Sequence, residues 1–411
     1  MIFSKTVGLI SSCIPRLPRQ QPGTRELRDT YVEKCKDFVC EPVKPLIGAL
    51  NQALSADGEL SFIKLNGNSK ELFSKRLEYM QVFALAESLH VNNTVVEMDL
   101  SYNNIDDAGV TTIARLLKVN RTLKAINLCG NNIGPEGAAK LADALADPGG
   151  GGGGLEMLNL RGNPIGEEGG MAMAQMLRTN STLLDLDVSD CELGMKSMIC
   201  FAATLNESNN TLQALGIENP RIGSVQEEHV WHAARMLAAN STLRVLKMGK
   251  WKVRYTGCET LVAYGVCTNE TLEVLDMRCN KICEVAGKSI ARILKENTTL
   301  RSLNLEENTL ACNGAEAIAA ALPSSTSIVE LNLRCNSIGD RGLCALAAGV
   351  RNMEVKPGVI RLWGNHFGPA AALAWARLLE DCAAAGLPLK TDISCRPVDD
   401  DIHVARVRVE E

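Results

Sequence analysis

Apolar residues recur along the chain in two alternating rhythms. One is a short run with Leu-like residues at i, i+3 and i+5 and an Asn at i+8, as in Leu123, Ile126, Leu128, Asn131. The other has apolar residues at spacings of three and four, as in Val110, Ile113, Leu116, Leu117. The first rhythm is that of a half-buried strand, because residues two apart share a face. The second is that of an amphipathic helix. Asn68, Asn103, Asn131, Asn163, Cys191, Asn280, Asn308, Asn336 and Asn365 close nine copies, and Pro220 and Trp251 stand at the same place in two weaker ones. The steps between these positions are 35, 28, 32, 28, 29, 31, 29, 28, 28 and 29 residues, a periodicity too regular for chance.

Each copy therefore predicts a strand followed by a helix. The closing Asn or Cys falls where the chain leaves the strand, and an Asn amide there can bond backbone groups of the neighbouring turn, forming a structural spine. Gly109, Gly137, Gly169, Gly257, Gly314 and Gly342 lie six positions after it, where close approach of the helix and strand layers is expected. Right-handed strand-helix units stacked in this way give parallel strands inside and helices outside. The expected fold is thus an α/β solenoid shaped as a horseshoe, with the strands on its concave face and the helices on its convex face. Eleven repeats should fill residues 58–385. They would be preceded by an amino-terminal segment, 1–57, with a helical cap over Leu27 to Ala53. The tail 386–411 would close the other end after a last helix from Pro369 to Ala385.

Repeats of 28 and 29 residues that each hold a helix, as in Leu128, Asn131, Ile133, Gly134, Gly137 and Leu141, resemble the ribonuclease-inhibitor class of leucine-rich repeats. The resemblance covers about residues 58–385 and implies a non-enzymatic scaffold that binds proteins. A narrower resemblance to one protein with such repeats rests on Gly169 to Met171, Leu186 to Met195, Gln226 to Glu228 and the closing stretch Val398 to Val407. It implies a nuclear or nucleolar role linked to ribosome biogenesis in stem or germ cells. Ran GTPase-activating proteins carry similar repeats and supply the alternative reading. Such proteins usually end in a long acidic tail, whereas this chain has only Asp399 to Asp401, Glu410 and Glu411 there.

Composition narrows the function further. Apolar residues are 46 % of the chain and aromatics 4 %, so the core should be aliphatic and the chain folded. The net charge is −5, from 43 basic and 48 acidic residues. No basic field is present to dominate phosphate binding, so direct nucleic-acid contact is not expected. Fifteen cysteines without a C-x-x-C pair make neither a disulfide framework nor a zinc signature, and an intracellular compartment, nucleus or nucleolus or cytoplasm, fits them best. No run approaches the roughly 18 apolar residues of a membrane span. The amino terminus reads as a poorly ordered leader rather than a targeting signal.

Local motifs yield to the repeat. Eight N-x-[ST] triplets, at Asn92, Asn120, Asn180, Asn206, Asn209, Asn240, Asn269 and Asn297, fall mostly at the helix-to-strand turn and read as turn chemistry rather than glycan acceptors. Gly287, Lys288, Ser289 imitates a phosphate loop but has Ile282 where that motif needs a Gly. Gly149 to Gly154 reads as a flexible insertion at a turn. His229 and His232 flank Trp231 without a third ligand at metal spacing, and Asp399 to Asp401 suggest a solvated turn. No catalytic, cofactor or metal site is expected. Irregular spacing around Pro220 and Trp251 predicts that Arg221 to Glu228 bulges from the array.

Binding is expected on the concave face, where two polar columns cross the repeats. Their carboxyl-terminal end brings Arg278, Arg334 and Arg361 beside Glu306, Glu307 and Trp363, residue types that anchor interfaces when desolvated. Trp363 in particular is expected to be exposed, because the repeat does not require an apolar residue there. These six are the partner-binding candidates, for one or more proteins.

Overall fold

A computed structural model describes residues 23–146, 154–223, 227–398 and 401–409. Twelve short parallel strands form one open sheet in strict sequence order. They are β1 Phe62–Lys64, β2 Glu97–Asp99, β3 Ala125–Asn127, β4 Met157–Asn159, β5 Asp185–Asp187 and β6 Ala214–Gly216. β7 Val245–Lys247, β8 Val274–Asp276, β9 Ser302–Asn304, β10 Glu330–Asn332, β11 Val359–Arg361 and β12 Lys390–Thr391 complete it. A helix follows each of β1 to β11 and packs against the helices of the repeats on either side. The middle residue of each of β1 to β11 points into the core, so Met98, Ile126, Leu158, Leu186 and their equivalents are buried, while the first and third residues line the other face. This is the α/β solenoid that the periodicity predicts, with a twelfth strand contributed by the tail.

The spine is built from backbone bonds that the strands cannot make for themselves. Asn131 donates from Nδ2 to Leu100 O and Leu128 O at 3.1 and 2.8 Å and accepts from the N–H groups of Asn103 and Ile105 at 2.9 Å each. Asn103, Asn163, Asn280, Asn308, Asn336 and Asn365 each likewise donate to a carbonyl of the preceding repeat. Cys191 does so with its thiol to Leu160 O at 3.1 Å. Trp251 takes the same role with its indole N–H, 2.8 Å from Ile217 O, which explains how a ring replaces an amide. Asn68 is the exception. It stands exposed at the open end, where no earlier repeat offers a carbonyl.

A second amide ladder runs down the opposite edge and was not legible as one. Asn120, Asn209, Asn240, Asn269 and Asn297 each donate to two carbonyls of the previous repeat, and each accepts from the two N–H groups that open the next strand. Asn92 and Asn180 belong to the same buried row. These seven are the N-x-[ST] asparagines other than Asn206, and a glycan on a buried Nδ2 would break the bonds that place it.

The glycines after the spine serve a different contact from the one expected. A Cβ on Gly137 would lie 2.5 Å from Asp107 Oδ1 and 2.6 Å from Val110, and one on Gly342 would lie 3.0 Å from Cys312 Cα. At these positions the close approach is to the neighbouring repeat's helix rather than between helix and strand layers, whereas a Cβ on Gly109 would meet Ile105 of its own repeat at 2.9 Å. The same crowding positions an acid. Asp107 accepts from Gly134 N at 2.6 Å, Glu227 from Arg254 N and Gly257 N at 2.6 and 2.8 Å, and Asp340 from Gly368 N and Ala371 N at 3.1 and 2.7 Å. Each carboxylate thus caps the next repeat's helix, whose own N-cap side chain makes no such bond.

Surplus residues are absorbed locally. In the repeat after Trp251 the helix Tyr255–Leu261 runs into a π-turn, Val262–Val266, where Cys267 N–H bonds Val262 O five residues back. One extra residue is taken up there without moving the strands. Two helices, Gly23–Asp37 and Lys44–Ser55, occupy the span expected to hold one, parted by Val39 at φ 52° and Pro45. At the other end the helix Pro369–Ala384 leads to β12 and to the antiparallel hairpin of β13 Ile393–Val398 and β14 Asp401–Arg406. The leader, most of the glycine insertion, residues 224–226 of the irregular stretch and Asp399 with Asp400 lie outside the described residues.

Candidate binding face on the concave sheet

The concave face is built from three columns: the first and third residues of each strand, and the residue two positions after the strand. The turn beyond follows one rule. In ten successive repeats the residue just before the spine position has positive φ, and only Gly130, Gly162 and Gly364 among them are glycines. Tyr102, Asp190, Asn219, Lys250, Cys279, Glu307 and Cys335 hold it at φ 50–61°, at a cost of roughly 1 kcal/mol or more each. Their side chains are thereby projected along the rim of the face.

At the centre of the sheet Glu218 is only 3 % exposed and is gripped from both sides. Arg161 reaches it at 2.7 Å from two strands before, and Arg278 at 2.8 Å from two strands after. Arg161 also meets Asp190 at 2.5 Å. The strands between carry small residues at this column. Ser189 is fully buried and accepts from Glu218 N at 3.1 Å, and a Cβ on Gly249 would come within 2.6 Å of Glu218 Oε1 and 3.2 Å of Arg278 Cγ. The neighbouring column repeats the arrangement. Lys247 crosses Gly216 to Asp187 at 3.5 Å, and a Cβ on Gly216 would sit 2.6 Å from Asp187 Oδ1. Charged, small, charged at consecutive repeats is the signal in the sequence, visible once the columns are written side by side. Burial raises the Asp276 carboxyl, and Arg278, at 3.7 Å, opposes that.

Over this lattice lies a shallow cavity of about 310 Å3, lined by Arg161, Asp190, Glu218, Lys250, Arg278, Cys279, Glu306 and Glu307. Three of the six candidates therefore meet there: Arg278, Glu306 and Glu307. Glu307 accepts from the Cys279 thiol at 3.0 Å, and Glu306 from Asn332 Nδ2 at 2.9 Å. Burial, followed by Glu307, pushes the Cys279 thiol up to about 12, so it is no nucleophile at neutral pH.

The other three are held inside the molecule, Arg334 and Trp363 by the tail and Arg361 by β10. Arg334 Nε donates at 2.5 Å to Asp392, a fully buried residue of the tail that also accepts from Leu362 N and Trp363 N. Trp363 is half-buried and packs against the core cluster, so the exposed anchor expected of it is not what the structure holds. Arg361 is paired with Glu330. The reason is geometric. At the last repeats the concave columns face the segment that terminates the sheet, which takes Arg334 and the backbone of Trp363, while β10 takes Arg361. Elsewhere, His229 is buried against Trp251 and lowered by that burial, while His232 faces Glu228. Among the described residues no group of three or more His, Cys, Asp or Glu side chains could hold a metal. No helix among them is long and apolar enough to cross a membrane.

Comparison with known proteins agrees with this architecture. The leucine rich repeat family profile matches seven segments, 91–114, 119–142, 155–174, 179–202, 268–291, 296–319 and 324–347. The chain is a leucine-rich repeat solenoid. The matches skip 203–267, where Pro220 and Trp251 replace the spine amide. No curated protein matches the sequence. Among solved structures, actin-binding site 2 of leiomodin-1 is 21 % identical over 47 % of this chain and 88 % of that one, with a TM-score of 0.27.

Proposed function

We propose that the protein is a non-enzymatic scaffold that receives a protein partner on the concave face of its solenoid. The observation that carries this is the ion-pair lattice at the centre of that face. Arg161, Glu218 and Arg278, with Lys247 and Asp187, fix long side chains that would otherwise be mobile, so a partner meets a surface already ordered. Preorganised side chains lower the entropic cost of association. Lys250 and Glu307 rise exposed from the rim of the cavity and are the first residues such a partner would touch.

The ribonuclease-inhibitor-like form of the repeats supports the same reading. The likeness of 169–195 and 398–407 to leucine-rich repeat-containing protein 34 supports a nuclear or nucleolar setting linked to ribosome biogenesis. Affinity capture from expressing cells tests the first point. Lys250→Glu with Glu307→Lys should reduce capture of the main partner by about tenfold, or roughly 1.4 kcal/mol, while a charge change on an exposed helix residue such as Lys118 should not. Unchanged capture would refute placement of the partner at the rim of this cavity. Ran GTP hydrolysis should be unaffected by the protein, and stimulation would reinstate the GTPase-activating alternative.

A further inference from the structure

The concave stretch from β2 to β5 differs in charge from the rest of the sheet. In register, the first column reads Glu97, Ala125, Met157, Asp185 and the second reads Asp99, Asn127, Asn159, Asp187. In these two columns acids stand at both ends and neutral residues lie between, while in the third column Arg161 is already taken by Asp190 and Glu218. Ala125 and Met157 are 5 % and 1 % exposed, a closed apolar floor. With neighbouring strands about 4.8 Å apart, the two acidic ends are separated by about 14 Å.

At the centre of the face Glu218 is answered by Arg161 and Arg278. Here the answer is incomplete. Asp187 is reached by Lys247, and Asp99 accepts only from neutral donors: Ser101 N at 3.0 Å, Ser101 Oγ at 2.5 Å and Asn127 Nδ2 at 3.1 Å. The carboxylates of Glu97 and Asp185 form no ion pair or hydrogen bond among the described residues. Both carboxyls are nonetheless pushed up by burial, Asp185 to about 6. Lys247 opposes the shift at Asp185 without pairing with it, and no cation opposes it at Glu97, so a cation from outside would relieve both desolvated carboxylates.

We propose that this stretch docks an extended basic polypeptide segment, with Lys or Arg side chains at i and i+4 reaching Glu97 and Asp99 at one end and Asp185 and Asp187 at the other. The spacing follows from geometry. Four residues of extended chain advance about 13 Å, and residues i and i+4 share one face. Their aliphatic stems would cross the partly exposed Asn127 and Asn159 with the charged heads over the acids. The inference rests on the concave reading and names the chemistry of the partner.

The test uses the full chain and a labelled extended peptide of about nine residues, with Lys at two positions four apart and Val and Thr elsewhere, followed by fluorescence anisotropy at low salt. The peptide should bind, and its Lys-to-Glu counterpart should not. Glu97→Gln with Asp185→Asn should weaken binding by about tenfold without lowering the melting temperature at pH 8, because each change removes an unmatched charge. Glu306→Gln, on the carboxyl-terminal half of the face, should leave binding unchanged. Equal binding of the acidic peptide, indifference to the double variant, or a melting temperature lowered by several degrees would overturn the proposal. So would self-association of the chain that the double variant abolishes, which would give the face to a second copy. If the peptide fails to bind while Lys250→Glu with Glu307→Lys still abolishes partner capture, this inference falls and the concave reading survives. Capture that resists both double variants would reject the concave reading itself.

Discussion

Asp185 shows how a single residue carries information that its type does not. It lies in register between Met157 and Ala214, and burial pushes its carboxyl up to about 6, with Lys247 opposing and Asp187 reinforcing the shift. The folded chain therefore binds this proton more tightly than the unfolded chain, whose carboxyl titrates near 3.8. The sign follows from linkage: stability contributed by the protonated group is full below about 4, is lost as pH rises to about 6, and is constant above. Asp185→Asn should remove that dependence. The melting-temperature difference between variant and parent should grow in the variant's favour from pH 4 to pH 6 and then level off. A difference independent of pH would show that the carboxyl is ordinarily solvated.

Elements are tied to each other mainly through their ends. Helices that begin with Gly, such as Pro135–Leu145 after Gly134 and Pro369–Ala384 after Gly368, have no side chain of their own to cap the first turn. The cap comes from the previous repeat, so helix formation and repeat stacking are one event. Asp340→Ala should cost about 1 kcal/mol, more than an ordinary surface change, because it leaves Gly368 N and Ala371 N without their acceptor. Urea unfolding reads this directly. Native-state hydrogen exchange should show faster opening confined to the last helix and tail. If Asp340→Ala matched the parent in both, the cross-repeat cap would be decorative. Strand, helix and the spine amides were legible from spacing at this scale. The spacing shows the turn chemistry of the second row but not the ladder, because one Asn at a turn looks the same whether its amide faces solvent or the carbonyls of the previous repeat.

At the scale of the whole molecule, one continuous hydrophobic core runs from Leu27 in the first helix to Ile393 in the tail, so the ends determine the stability of the middle. Asp392 is the latch at the carboxyl end, where it accepts from Leu362 N at 2.6 Å and from Arg334 at 2.5 Å. Asp392→Ala should cost about 3 kcal/mol, since a paired charge and two backbone donors lose their acceptor together. Thermal unfolding should shift accordingly, with β11 the first strand to exchange. A neutral effect would mean that the tail is dispensable and that Arg334 and Trp363 are available to a partner after all.

The chain's periodicity by itself determined the solenoid: the number of repeats, the alternation of strand and helix, the buried leucines and the spine amides, Asn68 excepted. It could do so because each repeat meets only its neighbours, so local spacing repeats into global shape. What the spacing could not settle is which concave residues are spent inside the molecule. Arg161 and Glu218 are 57 residues apart, and Arg334 and Asp392 are 58 apart. Their pairing depends on a Gly or Ser in the strand between, or on where the tail returns to the sheet. Trp363 read as an exposed anchor in the column pattern, and only the docking of the tail made it part of the core's edge. Side-chain reach across the curved face decides which charges remain for a partner, and that reach is set by distances between strands that no linear spacing records.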